Sequence, residues 1–548
     1  MLRQLFYILI VSSVSILSSC AYKNIEVDLI VHNATIYTVD EEFSMVEAMA
    51  IKDGKIVEIG AERAIMNRYS AETIVDAKKK FVYPGFIDAH CHFLGYGRSL
   101  NKAALEGTRS WDEVLERVVA FSQNGDLKVI VGRGWDQNDW DIQEFPDNSS
   151  LNELFPTTPV ILTRVDGHAL IANKIALDQA GIVAGQRIDG GLIETKDGVL
   201  TGILVDNAEG LIMHILPEED KASMRSALLA AQENCFQVGL TTVDDAGLNK
   251  NAIDIIEEMH TDGSLKMRVY AMVSDSKENL DHYFSKGIFK TERLNVRSVK
   301  AYADGALGSR GASLLAPYTD KHDHWGFLVN TFGHFDSLAA ACYENGFQMN
   351  THCIGDSANR YLTDVYAKYL EGTNDLRWRI EHAQIVTSVD VDKFRNYSII
   401  PSIQPTHATS DMYWANDRLG EDRIQYAYPY QDLLNANGLV ALGTDFPVEK
   451  IDPMLTFYAA VARKDVKGYP ENSFLPEQKL SRKEALMGMT IWAAISNFEE
   501  NEKGSLEVNK LADFVILEND IMKLSEEKLF DVKVISTFIN GEEVYKKL

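Results

Sequence analysis

A (β/α)8 barrel of the TIM type, with an inserted α/β subdomain and a small β-sandwich built from both chain ends, is the fold this sequence predicts. Three observations lead there. Eight short apolar runs with helical stretches between most of them fill the middle of the chain; the two ends each carry a hairpin signal; and one gap between consecutive strands is too long for a loop.

The first twenty residues stand apart from that fold. Arg3 precedes an apolar run over 5–17, which ends in Leu17-Ser18-Ser19-Cys20. The run is shorter than the roughly 20 residues a bilayer span needs and reads as a secretory signal. Its last four residues are similar to the lipobox of bacterial lipoproteins, in which the cysteine is lipidated and becomes the mature N-terminus. The expectation is an exported chain held to a bacterial membrane through a lipid on Cys20, on the periplasmic side or at the cell surface.

Residues 21–80 and 501–548 are expected to form the β-sandwich. The segment 48–60 holds two apolar runs around Asp53-Gly54, and 532–545 holds two more around Asn540-Gly541; both dipeptides favour tight hairpin turns. Neither end has enough strands for a stable sheet alone, so the two are expected to combine. Residues 81–500 then form the barrel, with strands expected at 81–90, 240–246, 265–273, 295–303, 347–354, 377–385, 398–406 and 439–446. One helix should run from about 218 to 238 and stop at Gly239, and another should start at Ser481, where Ser481 and Glu484 have capping-box spacing. A doubly wound open sheet is the competing arrangement. The insertion, about 95–239, has order of its own: capping-box spacing at Ser110 and Glu113, then strand-like runs at 128–135 and 158–170. Insertions at such positions usually act as lids or pocket walls.

Composition narrows the function. Lys and Arg number 54 against 80 Asp and Glu, a formal charge of −26, and a surface this acidic repels nucleic-acid phosphates. Cys91, Cys235, Cys342 and Cys353 lack the dense spacing of a disulfide scaffold and read as buried free thiols.

The chemistry is concentrated at strand ends. His90 and His92, in Asp88-Ala89-His90-Cys91-His92, are two apart on a strand and share a face, so both imidazoles reach one metal ion. Lys300 lies on the fourth strand, His352 and His382 end the fifth and sixth, and Asp445 ends the eighth. A core lysine or histidine is usually structural when it stands alone. Five strands each delivering a ligand-type residue to one rim point instead to a metal site, because the C-terminal strand ends of a barrel converge.

In sequence order, "PGFIDAHCH", "KAYADGALGSR", "HCIGD", "RIEHAQ", "ALGTDFPV" and "KLADFVIL" resemble the amidohydrolase superfamily. More narrowly they resemble amidohydrolase family 3, which includes N-substituted formamide deformylases and relatives of D-aminoacylases. The resemblance spans nearly everything after residue 20 and implies the same barrel and two-ended sandwich. It implies that His90, His92, His352, His382 and Asp445 ligate metal, zinc above all, as one ion or two. It also implies that Lys300 is carboxylated by CO2 to an anionic ligand, and that Asp445 handles the proton. Barrels of this type often pair as homodimers. The reaction expected is hydrolysis of an amide-type C–N bond in a small N-acyl, N-formyl or cyclic amide. Deamination, ester hydrolysis or isomerisation at the same site, or a surface lipoprotein that only binds its ligand, are the alternatives.

Five residues are weaker substrate-binding candidates. His168, Trp135 and Asp136 lie in the insertion, where the family's insert approaches the active site; ordinary subdomain packing is the competing explanation. Arg310, in the glycine-rich loop after Lys300, is placed to hold a substrate carboxylate, and His407, after the seventh strand, to face the mouth.

Overall fold

The computed structural model describes residues 25–125 and 127–547. Cys20 and the signal expected over 1–20 lie outside the described residues. Among those described, no helix is long and apolar enough to cross a membrane.

Eight parallel strands form the central sheet: β1 (Phe86–Cys91), β2 (Leu240–Leu248), β3 (Arg268–Ser274), β4 (Leu294–Tyr302), β5 (Gln348–Cys353), β6 (Arg379–His382), β7 (Ile400–Ile403) and β8 (Ala441–Leu442). They are hydrogen-bonded in chain order from β1 to β8. Beyond β8 the ring is drawn together by backbone bonds from Asp445 to the His90 carbonyl (2.8 Å) and from His92 to the Phe446 carbonyl (2.8 Å). This is a (β/α)8 barrel rather than a doubly wound open sheet. The strands are almost wholly buried, as expected of a parallel sheet covered by helices.

The run at 81–90 is two strands. Phe81–Pro84 pairs with Thr35–Tyr37 and Phe514–Leu517 in a sheet of the chain ends, while β1 enters the barrel. Gly85 sits at the switch, and a Cβ there would lie 2.4 Å from the Thr241 side chain. That sheet has six strands drawn from both ends, and it faces a four-stranded sheet from the N-terminal segment alone. Between them lie Leu29, Val31, Met49, Phe514 and Phe538, the last two stacked at 4.3 Å. Both predicted hairpins form. Asp53-Gly54 and Asn540-Gly541 all have positive φ, as a type I′ turn requires.

The insertion folds around a six-stranded sheet with its own core. The apolar run at 158–170 becomes a hairpin, Val160–Arg164 against Ala169–Ala172, with His168 at its turn. At Ser110 the capping box is half made. The Ser110 hydroxyl accepts from Glu113 N–H, but the Glu113 carboxylate takes the Arg109 N–H instead. At Ser481 both halves are present, and the helix before β2 runs from Lys221 to Gln237. The four cysteines are buried and free.

Candidate metal centre and substrate cavity

The barrel order brings His90, His92, Lys300, His352, His382, His407 and Asp445 to the rim of one cavity of about 800 Å³ or just beneath it. Asp445 is the hinge of the group. One carboxylate oxygen lies 3.3 Å from His92 Nε2 and 3.8 Å from His90 Nε2; the other lies 3.6 Å from His407 Nε2. His90, His92 and Asp445 form one set of potential ligand atoms within 4.8 Å of one another, and His382, His407 and Asp445 form a second. The backbone is bent to achieve this: Asp445, His382 and Ala383 all have positive φ. Such conformations are uncommon outside glycine and persist where the surroundings fix them, here by the bond from Asp445 N–H to the His90 carbonyl.

The imidazoles are oriented from behind. His90 Nδ1 meets a Glu381 carboxylate oxygen at 2.5 Å, His92 Nδ1 the Ala246 carbonyl at 3.0 Å, and His382 Nδ1 the Gln404 side-chain oxygen at 2.7 Å. Each partner is an acceptor, so each Nδ1 carries the proton and each Nε2 is left with a bare lone pair. His90 Nε2 also stands 3.2 Å from Lys300 Nζ. Burial holds His90 neutral, with a pKa lowered to about 4, and drives His382 and His352 well below the ordinary range. The Asp445 carboxyl lies well below the ordinary carboxylate range despite its burial and stays anionic. Lys300 is lowered to about 8 by burial, opposed by Glu381 and Asp445.

These residues fit a divalent metal. Asp445 Oδ1 and His407 Nε2 are shielded from solvent and have no hydrogen-bond partner among the described residues, and buried polar atoms of a folded protein seldom stay unpaired. Neutral imidazoles and a carboxylate are donors that suit zinc and similar ions. His352 is placed differently. Its Nε2 faces the Gly305 carbonyl at 3.5 Å, and its ring lies 4.5 Å from that of His382 and 4.9 Å from that of His168.

The weaker candidates divide. His168 and Asp136 line the cavity, as does His407. His168 is held by Asp206 at 2.7 Å; burial pulls its pKa down, but Asp206 raises it to about 9, so the ring is cationic. Trp135 does not reach the cavity. It is fully buried in the insertion's core against Trp140 and Phe145, and its indole N–H donates to the Leu162 carbonyl. Arg310 is also turned away and committed to Asp320 at 2.8 Å in a separate cleft. Asp136 itself is bound to Arg164.

Several functional neighbours escape a sequence reading. Asp304 accepts the backbone N–H groups of Ser313, Ile354 and Gly355, pinning the glycine-rich loop to the exit of β5. Gly305 and Gly311 make room for Asp206; a Cβ on either would lie 2.3 Å from its carboxylate. The available signal was the glycine spacing, which marks close approach without saying to what. Arg379 and Glu381, two charged residues on one short buried strand, carried a clearer signal.

Comparison with known proteins agrees with this geometry. The profile of the amidohydrolase family matches residues 73–545. Protein LONG AFTER FAR-RED 3 of Arabidopsis thaliana is 32% identical over 94% of this chain and 91% of its own length. An N-substituted formamide deformylase of Arthrobacter pascens is 25% identical over 95% of this chain and 98% of its own. Among solved structures, an uncharacterized metal-dependent hydrolase from Pyrococcus horikoshii superposes with a TM-score of 0.75 at 29% identity, covering 91% of this chain and 99% of that one. The chain is therefore a member of the amidohydrolase family, a metal-dependent hydrolase.

Proposed function

We propose that this hydrolase cleaves an amide-type C–N bond in a small molecule. Asp445 carries the reading, because its two oxygens address both histidine sets at once and Oδ1 has no hydrogen-bond partner among the described residues. His90, His92, His382 and Asp445 would hold the metal, zinc by the chemistry of the donors, with His407 and Lys300 beside them and His352 at the edge. A divalent ion bound there supplies Lewis acidity toward a carbonyl and lowers the pKa of water to about 7.

The chain's own residues do the rest. Asp445, held anionic, accepts the proton of the attacking water and delivers it to the leaving nitrogen. Glu381 fixes the His90 ring, and Gln404 the His382 ring, so that their lone pairs stay aimed inward. His168, cationic and at the cavity wall, is placed to donate to a carbonyl or oxyanion. Lys300, with its lowered pKa, is partly in the neutral amine form that takes up CO2, which supports the expected carbamate. The similarity to a formamide deformylase over nearly its full length supports an N-formyl or N-acyl substrate. The test is a panel of N-formyl and N-acyl amides, cyclic amides, esters and aminopurines, offered to protein whose metal content has been measured by elemental mass spectrometry. Release of amine from amides alone is the expected outcome; turnover confined to esters or aminopurines would replace this reading.

A further inference from the structure

A second chamber of about 530 Å³ opens beside the substrate cavity and shares His92, Lys102, Asp166, His168 and Tyr302 with it. Its charges are mostly settled in pairs. Arg98 binds Glu219, Asp166 binds Arg164, Asp206 binds His168, and Asp275 binds His334. The Glu209 carboxyl is pushed by burial well above its ordinary range, and its Oε1 has no hydrogen-bond partner among the described residues. Two cations are left over. Arg133 makes one hydrogen bond among the described residues, from Nη2 to the Val165 carbonyl at 2.9 Å, and its Nε is shielded from solvent with no partner. Lys102 lies at the wall common to both spaces, half-buried, in the turn before Ala103–Ala104, the short strand that pairs with the strand bearing Arg133. Neither forms an ion pair with any described residue.

That is a costly arrangement unless something completes it. Two half-buried cations repel: burial first, then Arg133 and Arg98, lower the Lys102 pKa to about 8, against Glu219. The position of Arg133 is also built. Gly167 has φ +72, and a Cβ there would lie 3.3 Å from Arg133 Nη1. The same turn, 165–168, receives the Arg133 hydrogen bond and carries His168 to the metal rim. The guanidinium is therefore fixed relative to the reacting end of the cavity.

We propose that Lys102 and Arg133 form a carboxylate-binding subsite, which makes the substrate a small amide bearing a carboxylate at its non-reacting end. This rests on the amide-hydrolase reading above. An arginine fork takes a carboxylate in two parallel bonds, and a lysine adds a point charge. A monoanion suits the chamber better than phosphate, because Asp166, Asp206 and Asp275 stand on its walls and would repel a second negative charge.

The test measures binding separately from turnover. Calorimetry on the zinc-loaded full chain would compare 4-acetylbenzoate with acetophenone, carbonyl compounds that differ by the carboxylate and contain no scissile C–N bond. We expect the carboxylate to bind at least about tenfold more tightly, about 1.4 kcal/mol. That preference should vanish in Lys102→Met and Arg133→Met and survive in part in Arg133→Lys, with zinc content unchanged in all three. Equal binding of the two probes, binding of neither, or a preference that persists in both methionine variants would overturn the subsite, since the carboxylate would then be resting on the metal or nowhere. If the preference behaves as expected while no amide is hydrolysed, the subsite stands and the amide reading falls.

Discussion

Within one barrel, two neighbouring polar clusters are closed in opposite ways. The lower is centred on Arg379, whose guanidinium donates to Glu381 at 2.7 Å, Asp244 at 3.0 Å, Asn497 at 3.3 Å and Ser402 at 3.2 Å, and to the Ala89 carbonyl. Asn497 in turn donates to the second Asp244 oxygen at 2.7 Å. Each of these five side chains has a partner among the described residues. The upper cluster, only a few residues further along the same strands, leaves Asp445 Oδ1 and His407 Nε2 without one. Glu381 belongs to both, with one oxygen on Arg379 and the other on His90. A buried polar cluster that closes on itself is architecture. One whose polar atoms face a cavity unpaired is suited to take a cation, and Glu381 ties the closed cluster beneath to it.

Four experiments would break or sharpen that contrast. The largest effect is expected at the open cluster. Asp445→Asn keeps the shape but removes the base, and turnover should fall by about 10²–10⁴-fold. Asp445 is itself a candidate ligand, so activity is read per zinc bound in elemental analysis, and activity within about threefold of wild type would end Asp445's role as base. Next is the closed cluster. Arg379→Met strands Asp244 and Glu381 without a cation, and a buried pair broken this way costs about 3–5 kcal/mol. The urea midpoint of metal-free protein should drop accordingly, and an unchanged midpoint would show that the cluster does not bear on stability. Third, Glu381→Gln tests the junction. Losing the carboxylate behind His90 should weaken metal binding about 10–100-fold with the fold retained, as read by competition with a chromophoric chelator.

The smallest effect concerns pH. The His90 pKa is lowered from 6.5 to about 4, mainly by burial. A lowered folded-state pKa means the ring stays neutral as pH falls through 6.5 and is protonated only on passing about 4. Zinc retention should therefore change little between neutral pH and about pH 5.5, where an ordinary histidine would already be mostly charged. Release centred near pH 6.5 would show that His90 is not held neutral by burial.

Much of this was legible in the sequence, for reasons particular residues make plain. The alternation of apolar runs with helical stretches follows from local geometry, so strands β1 to β7 fall close to their expected positions. The His90/His92 pair is a period-2 signal. Asp53-Gly54 and Asn540-Gly541 specify turns that need positive φ. Where the reading went astray, the deciding contact was distant along the chain. Trp135 was expected to touch substrate because the family's insert approaches the active site, yet it ends its strand with the side chain packed into the insertion's core. Arg310 looked free until Asp320 folded back against it. The run at 81–90 is divided between two sheets by Gly85, for which no periodicity gives warning.

The sequence by itself determined the barrel, the two-ended sandwich and the metal-ligand types, because burial patterns, turn dipeptides and strand-end residues are local properties. Only the tertiary structure decided which side chains meet. Glu381 lies 291 residues from His90, and His168 is 38 from Asp206. Lys102 and Arg133 have no ion-pair partner among the described residues, while Glu219, Asp206 and Asp275 nearby are taken by Arg98, His168 and His334. Pairing of charges depends on distance in space, and distance along the chain does not encode it.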